Sequence, residues 1–291
     1  MAENTDVILL TGASSGIGRA LAQRLSQSNY RVIATAHERS LHRLSENGLV
    51  ESPRFLFREL DVNNAEQRAK LIDEIEQLWG GVDVLVNNAG ISFRAVVEHM
   101  SDEEERRQLE TNFLAPMALT RLVLPSMRRK RRGRIINVSS VGGMMAMPTM
   151  SSYSASKFAL EGASEALWYE MRPWGISVTL VQPGFINSNA FRRVRWSAES
   201  DASRSHHDDY SVYYDNMSSF VEKLMTHSFA TSDSVAKKIM KVIKMSHPPL
   251  RVSGTFDAWA FFALRRMLPR SLYHSVLYRS LPGIKEWGKT C

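Results

Sequence analysis

Three glycines fall within eight residues, Thr11-Gly12-Ala13-Ser14-Ser15-Gly16-Ile17-Gly18, directly after the apolar run Val7–Leu10. A chain that leaves a buried strand through so bare a turn and enters a helix aims the first free N–H groups of that helix, and its dipole, above the sheet edge. Gly12 permits the sharp turn, Gly16 lets a pyrophosphate come close to the backbone, and Gly18 lets helix and strand pack together. The spacing Gly-x-x-x-Gly-x-Gly, placed after a first strand, points to a dinucleotide as the ligand. A glycine turn that serves packing alone is the alternative.

The rest of the chain repeats the same alternation. Val7–Leu10, Arg31–Thr35, Phe55–Leu60, Val82–Val86, Arg134–Val138 and Ser177–Val181 read as short buried strands. Between them lie amphipathic stretches such as Glu66–Trp79, whose Leu71, Ile72, Ile75 and Leu78 share a face. This predicts a parallel sheet covered by helices on both faces, forming one domain through about Val252. Two stretches break the rhythm: a polar insert from Asn187 to about Asn216, and a basic, aromatic tail after Thr255.

Composition narrows the class. With 291 residues, 44% of them hydrophobic and 23% charged, the chain reads as soluble and globular rather than disordered. The one cysteine, Cys291, is the last residue, and Met1–Asp6 lack a signal-peptide pattern, so a reducing, cytoplasmic setting is expected. The apolar stretch Trp259–Leu264 falls far short of the ~20 residues a bilayer span needs. The net charge of +7 suits anionic cofactors, acidic lipid surfaces or nucleic acid and selects none of them.

Further along, "YSASK" sets Tyr153 and Lys157 one helical turn apart, with Cβ atoms roughly 5–6 Å from each other. A free phenol, with a pKa of about 10, is a poor base at neutral pH. An adjacent ammonium is expected to lower that value towards the working range. The alternative is a surface pair with no role.

Thr11–Gly18, Asn87-Asn88-Ala89-Gly90, Ser140 ahead of Tyr153, the Tyr153-x-x-x-Lys157 pair and Pro183-Gly184 occur in a familiar order. In that order the chain resembles the short-chain dehydrogenase/reductase family over about residues 5 to 255. The resemblance implies an α/β fold, a Rossmann-like three-layer sandwich with a seven-stranded parallel sheet. It also implies a nicotinamide cofactor, a substrate lid at about 187–225 and a C-terminal extension over 256–291. The catalytic set it implies is Asn112 (in "ETNFLAP"), Ser140, Tyr153 and Lys157. Tyr153 would pass a proton to or from the substrate oxygen as hydride moves, and Ser140 would hydrogen-bond that oxygen. Lys157 would lower the Tyr153 pKa and contact the nicotinamide ribose. Asn112 would kink its helix and hold a water leading to Lys157. Ser139 is the rival serine, but the spacing and the following Val141-Gly142-Gly143 favour Ser140.

Cofactor contacts implied by position are Gly12, Ser14, Ser15, Gly16, Ile17 and Gly18 at the phosphates, and Asp61 with Val62 near the adenine. Asn88, Ala89 and Gly90 would stand at the adenine ribose, Tyr153 and Lys157 at the nicotinamide ribose. Pro183, Gly184, Ile186 and Ser188 would meet the carboxamide. For Asp61 a helix N-cap is the alternative. Where an NAD enzyme carries an acid, about twenty residues past the glycines, Ala36 and His37 stand instead. His37, Arg39 and the Ser14 and Ser15 hydroxyls suit a 2′-phosphate, which favours NADP(H). Glu38, if turned inward, would suit NAD(H).

The insert contains "FRRVRW" and "DDYSVYYDNM". Phe191, Trp196, Tyr210, Tyr213, Tyr214 and Met217, with Met144, Met145 and Met147, suggest an apolar pocket. That points to a bulky lipophilic ketone or alcohol of steroid, retinoid or fatty type; for each residue the alternative is packing of lid onto body. A 3-ketoacyl-thioester reductase is the rival enzyme, with lid arginines meeting a phosphopantetheine. A catalytically silent nucleotide sensor or scaffold is the rival from another class. Ser205–Asp209, "SHHDD", reads as solvent-facing, with no metal expected. Arg128–Arg132 reads as a solvated cationic corner rather than a nucleic-acid site. The tail, with Arg265, Arg266, Arg270 and Arg279, suits a membrane surface, the pocket mouth or a subunit interface. Helices expected from about Asp102 to Met127 and from Tyr153 to Arg172 pair subunits in the family, so a homodimer or homotetramer is expected.

Overall fold

The architecture comes from a computed structural model that describes residues 6–187, 194–206 and 208–289. Among the described residues nine strands form: β1 (Val7–Leu10), β2 (Arg31–Ala36), β3 (Phe55–Glu59), β4 (Val84–Asn87), β5 (Phe93–Arg94), β6 (Gly133–Val138), β7 (Ile176–Gln182), β8 (Arg195–Trp196) and β9 (Arg251–Ser253). Seven of them make one parallel sheet in the order β3-β2-β1-β4-β6-β7-β9, while β5 and β8 pair separately. The sheet is the seven-stranded parallel one expected from the resemblance. Its chain order reverses between β1 and β4, which opens a crevice at their carboxyl ends.

Strands buried on both faces read as continuous apolar runs, and β1 shows why. Ile8 and Leu10 face one core together with Leu21 and Leu25 of α1 (Gly16–Ser26), Leu44 of α2 (Glu38–Glu46) and Val235 and Ile239 further along the chain. Val7 and Leu9 face the opposite core with Leu71 and Ile75 of α3 (Ala65–Trp79). The latter core also takes in Leu119, Val123 and Met127, and Leu167, from the two long helices described next.

The helix expected from Asp102 to Met127 is broken. A capping box of Ser101 and Glu104 starts α4 (Asp102–Leu109), a π turn spans Glu110–Leu114, and α5 (Ala115–Lys130) follows. Arg128, Arg129 and Lys130 therefore occupy the last turn of α5, where cations offset the helix dipole. The corner is ion-paired rather than merely solvated: Arg129 meets Glu76 at 2.8 Å, Lys130 meets Asp83 at 2.9 Å, and Arg131 lies over the Trp174 ring at 5.4 Å. The second long helix is α6 (Ser151–Met171).

The insert folds as β8, α7 (Ala198–His206) and α8 (Ser211–Thr226). Tyr214 is fully buried, its hydroxyl accepting from the Val96 N–H at 3.0 Å and lying 3.0 Å from His99 Nδ1. Trp196 packs edge-on against it at 5.6 Å. Tyr214 therefore fastens the insert to the body, and Trp196 does so through the pairing of β8 with β5. The chain returns through α9 (Ser232–Lys244), β9, α10 (Phe256–Met267) and α11 (Arg270–Ser280). Phe261 and Leu277 turn inward onto Val141, Met144 and Met145, and Trp287 stacks on Tyr213 at 4.3 Å. Among the described residues no helix is long and apolar enough to cross a membrane.

Candidate active site

The glycine loop is clamped to the end of β4. Gly12 (φ 69°) lies so close to Ala89 that a Cβ there would stand 2.8 Å from the Ala89 Cα. Thr11 Oγ1 accepts from the Asn88 and Ala89 N–H groups, each at 3.0 Å, and Asn88 Nδ2 donates to the Thr11 and Gly12 carbonyls at 2.9 and 3.0 Å. The Asn88 amide donors thus brace the loop. Gly16 (φ 55°) is the opposite case, since a Cβ there would meet nothing within 4 Å. Ser15 precedes α1 in extended conformation without a side-chain capping bond, and Ser14 and Ile17 are half-buried beside it. Gly18 is buried against the Gly12 carbonyl and the Asn88 side chain, and Gly90 faces the Asn112 amide.

At the ends of β2 and β3, His37 caps α2 by accepting from the Arg39 N–H at 3.3 Å, and its Nε2 lies 3.9 Å from Asp61 Oδ2. The helix cap that was the alternative role for Asp61 belongs to Asn64, which accepts from the Gln67 N–H at 3.0 Å. Asp61 instead accepts from the Asn63 N–H at 3.0 Å, with Val62 buried beside it. Glu38 and Arg39 are both exposed on the first turn of α2.

The four residues of the expected catalytic set converge from three elements. Ser140 follows β6 and accepts from the Gly142 N–H at 3.0 Å; Tyr153 and Lys157 sit on the first turns of α6. Burial pushes the Tyr153 phenol up, and its hydrogen bond with Ser140 pulls it back. This corrects the expected lowering by the lysine. Lys157 Nζ donates to the Val138 carbonyl at 3.0 Å and lies 5.9 Å from the Tyr153 ring centroid, so desolvation outweighs the ammonium's pull. Burial likewise pushes Lys157 down to about 8, against the opposing carboxylate of Glu161. Asn112, on the π turn, accepts from the Ile91 N–H at 2.9 Å and donates to the Ile91 carbonyl at 2.9 Å and Ser156 Oγ at 3.0 Å. Its side chain is therefore engaged by protein partners. Ser139 Oγ is buried and without a hydrogen-bond partner among the described residues.

At the end of β7 the Pro183 carbonyl accepts from the Val141 N–H at 2.7 Å. Gly184 N–H donates to Thr255 Oγ1 and Phe185 N–H to Asp257 Oδ2, both at 2.8 Å. Ile186 is buried in the core. Ser188 and Phe191 lie outside the described residues. Thr11, Ser156, Thr255 and Asp257 are the residues sequence reasoning missed. Only Thr11, inside the glycine signature, carried a local signal; the others act through contacts distant in sequence. Among the described residues no cluster of His, Cys, Asp and Glu is placed to hold a metal. His206 Nδ1 is engaged by the Ala202 carbonyl at 2.8 Å, and Asp208 accepts from Ser203 and from the Tyr210 N–H.

Ser140, Tyr153 and Lys157 thus lie together beyond the end of β6, and the buried cluster of Val141, Met144 and Met145 follows directly on Ser140. The family model described as short chain dehydrogenase matches residues 6–198. A 3-ketodihydrosphingosine reductase of Bacteroides thetaiotaomicron is 37% identical over 272 residues, covering 93% of this chain and 96% of the relative. A retinol dehydrogenase 8 of Bos taurus is 32% identical over 307 residues, covering 100% of this chain and 96% of the relative. A solved short-chain dehydrogenase from Streptomyces avermitilis superposes with a TM-score of 0.77 at 31% identity, covering 96% of this chain and all of the other.

Proposed function

Because the chain belongs to the short-chain dehydrogenase/reductase family and is an oxidoreductase acting on CH–OH groups, we propose that it interconverts a ketone and a secondary alcohol on a bulky lipophilic substrate, using NADP(H). The observation that carries this reading is the half-buried Tyr153 phenol, hydrogen-bonded with Ser140, one turn from Lys157 and against Gly142, the neighbour of the buried cluster of Val141, Met144 and Met145. The names of the sphingoid-base and retinoid relatives support an apolar substrate of that kind.

The crevice residues fit a dinucleotide. The loop lies open above Gly16, the Ser15 hydroxyl caps nothing, and His37 and Arg39 border its far end with no acid at Ala36. A nicotinamide bound there supplies or takes up a hydride at the carbinol carbon. Tyr153 gives the substrate oxygen its proton in reduction and removes it in oxidation. Ser140 holds that oxygen as charge develops on it. Lys157, one turn away, favours the Tyr153 phenolate against the burial that disfavours it. Asn112, with its side chain fully engaged, fixes the π turn against Ile91 and Ser156, which leaves a proton relay to the main chain of that turn.

Two finer readings accompany this one. The outer side of the C-terminal helices exposes Phe256, Trp259 and Met267 at 78%, 54% and 80%, and no acid occurs from Ala258 to Lys285, which supports peripheral contact with an anionic lipid surface. Phe158 and Tyr169, exposed on α6, support a homodimer or homotetramer through that helix.

Turnover of NADPH and of NADH, followed at the reduced-nicotinamide absorbance band, tests the proposal across 3-keto sphingoid bases, retinal, ketosteroids and ketoacyl thioesters. Consumption with an apolar ketone and preference for NADPH is expected. Binding of the cofactor with no consumption on any ketone would overturn it.

A further inference from the structure

Lys157 does not stand alone on its face of α6. Glu161 and Glu165 follow at successive turns of the same helix. The Glu161 side chain is only 8% exposed, yet both of its oxygens are occupied: Oε1 accepts from Gln182 Nε2 at 2.9 Å and Oε2 from Arg251 Nε at 3.0 Å. Arg251, on β9, continues to Glu165 through Nη2 at 2.6 Å. A Cβ at Gly143 would stand 3.0 Å from Glu161 Cγ and 3.1 Å from the Lys157 carbonyl oxygen. The stem of Glu161 thus lies between the catalytic helix and the segment that carries Ser140. A buried carboxylate at that place, joined on one side to the residue before Pro183 and on the other to a strand at the sheet edge, exceeds what packing of α6 requires.

We propose that Glu161 and Arg251 are positioning residues that set the protonation of the Tyr153–Lys157 pair: the Glu161 carboxylate, one turn behind Lys157, holds the proton on the pair, and Arg251 limits that hold. The inference rests on the catalytic reading of Tyr153 and Lys157 given above. The other groups around Lys157 leave Glu161 as the charge that acts on it. Tyr153 precedes it on the same helix, the Val138 carbonyl faces it from β6, and Asn112 and Gly90 face it across the crevice as neutral groups. Arg251 and Glu165 reach it through Glu161. Burial keeps the interaction out of reach of salt screening. Burial and Glu161 oppose each other at the lysine, as the downward and upward influences on its titration require.

The sign follows from charge. Removing the carboxylate destabilises the ammonium and favours the phenolate, so the pair gives up its proton at lower pH. Removing the guanidinium leaves Glu161 less offset and frees Glu165, so the pair keeps its proton to higher pH. Coupled groups titrate as a unit, and the observable is the apparent value for the pair.

The test uses the full chain in two measurements. The first is the pH dependence of kcat/KM for alcohol oxidation. The second is the pH dependence of Lys157 trinitrophenylation by trinitrobenzenesulfonate, in which the neutral amine displaces sulfite from the ring, in cofactor-free protein, read by peptide mass spectrometry. Glu161→Gln is expected to move both midpoints down by about one pH unit and Arg251→Gln to move both up by a similar amount. Arg251→Lys, which keeps the charge, is expected to leave them in place, and the double variant to fall between the single ones. Thermal melts identify any variant that does not fold, and Arg251→Lys then serves with the remaining one. Midpoints that Glu161→Gln and Arg251→Gln shift in the same direction as each other, or that stay fixed in both folded variants, overturn the proposal. Absence of turnover with every alcohol would count against the catalytic reading alone, because the trinitrophenylation profile is read without it.

Discussion

Gly12→Ala and Gly16→Ala are changes of identical chemistry in one loop, and the structure assigns them different consequences. At Gly12 the added Cβ would approach Ala89 Cα at 2.8 Å, Ala89 N at 3.1 Å and Ala89 Cβ at 3.2 Å. None of these atoms belongs to a flexible side-chain end. Retreat is blocked on both sides, because Thr11 Oγ1 holds the Asn88 and Ala89 N–H groups at 3.0 Å and Asn88 Nδ2 holds the Gly12 carbonyl at 3.0 Å. A left-handed φ of 69° adds its own strain. Overpacking of about 1–3 kcal/mol and a left-handed penalty of about 1–2 kcal/mol combine to a loss of roughly 2–5 kcal/mol. That corresponds to a fall in Tm on the order of 10 °C. At Gly16 the Cβ meets nothing within 4 Å, so only the left-handed strain of φ 55° remains, about 1–2 kcal/mol. The same methyl group would nevertheless project into the open space above the loop, where the proposed cofactor's pyrophosphate would approach the backbone. Gly12→Ala should therefore lose stability first, and Gly16→Ala should lose cofactor affinity while keeping most of its stability. Calorimetric melts paired with NADPH fluorescence titrations separate the two. Equal melts for the two variants, or unweakened cofactor binding by Gly16→Ala, would refute the assignment of clamp and opening.

Other perturbations have equally definite signs. Lys157 is pushed down to about 8 by burial, from an ordinary value near 10.5. The unfolded chain thus binds the proton more tightly, and folding is disfavoured by about 3 kcal/mol below pH 8. That cost fades as pH rises from about 8 through 10.5. Lys157→Met should accordingly be inactive yet more stable than the parent at pH 7, with the difference shrinking at higher pH in urea titrations. An unchanged or lower stability at pH 7 would argue against the burial described. Thr255→Val leaves the Gly184 N–H without its 2.8 Å acceptor. A loss of about 1–3 kcal/mol, together with weaker cofactor binding, is expected in melts and titrations; wild-type values for both would deny Thr255 a part in holding that segment.

Much of this molecule was legible in its residue order because parallel strands covered on both faces must be apolar throughout, and short apolar runs between amphipathic stretches betray them. Ile8 and Leu10 against Val7 and Leu9 show how one four-residue run serves two cores. The glycine loop and the Tyr153-x-x-x-Lys157 step were legible because turn geometry and helical period convert spacing into position. What stayed hidden depends on contacts remote in sequence. β9 is three half-buried residues, recognisable as a strand only once β7 lies beside it. Thr255 and Asp257 read as an ordinary helix start, and their bonds to Gly184 and Phe185 follow from the return of the chain to the sheet edge. The direction of the Tyr153 titration was misread for a related reason: spacing reveals a neighbouring ammonium but not the desolvation that outweighs it.

The account turns on one proton. The direct measurement is the turnover of Tyr153→Phe with an apolar ketone shown to be a substrate of the parent, alongside its NADPH dissociation constant. Loss of the phenolic hydroxyl should reduce kcat by roughly 10²–10⁴-fold while cofactor affinity, which loses one ribose contact, falls by far less. Reduction at the parental rate would show that the substrate oxygen receives its proton from elsewhere.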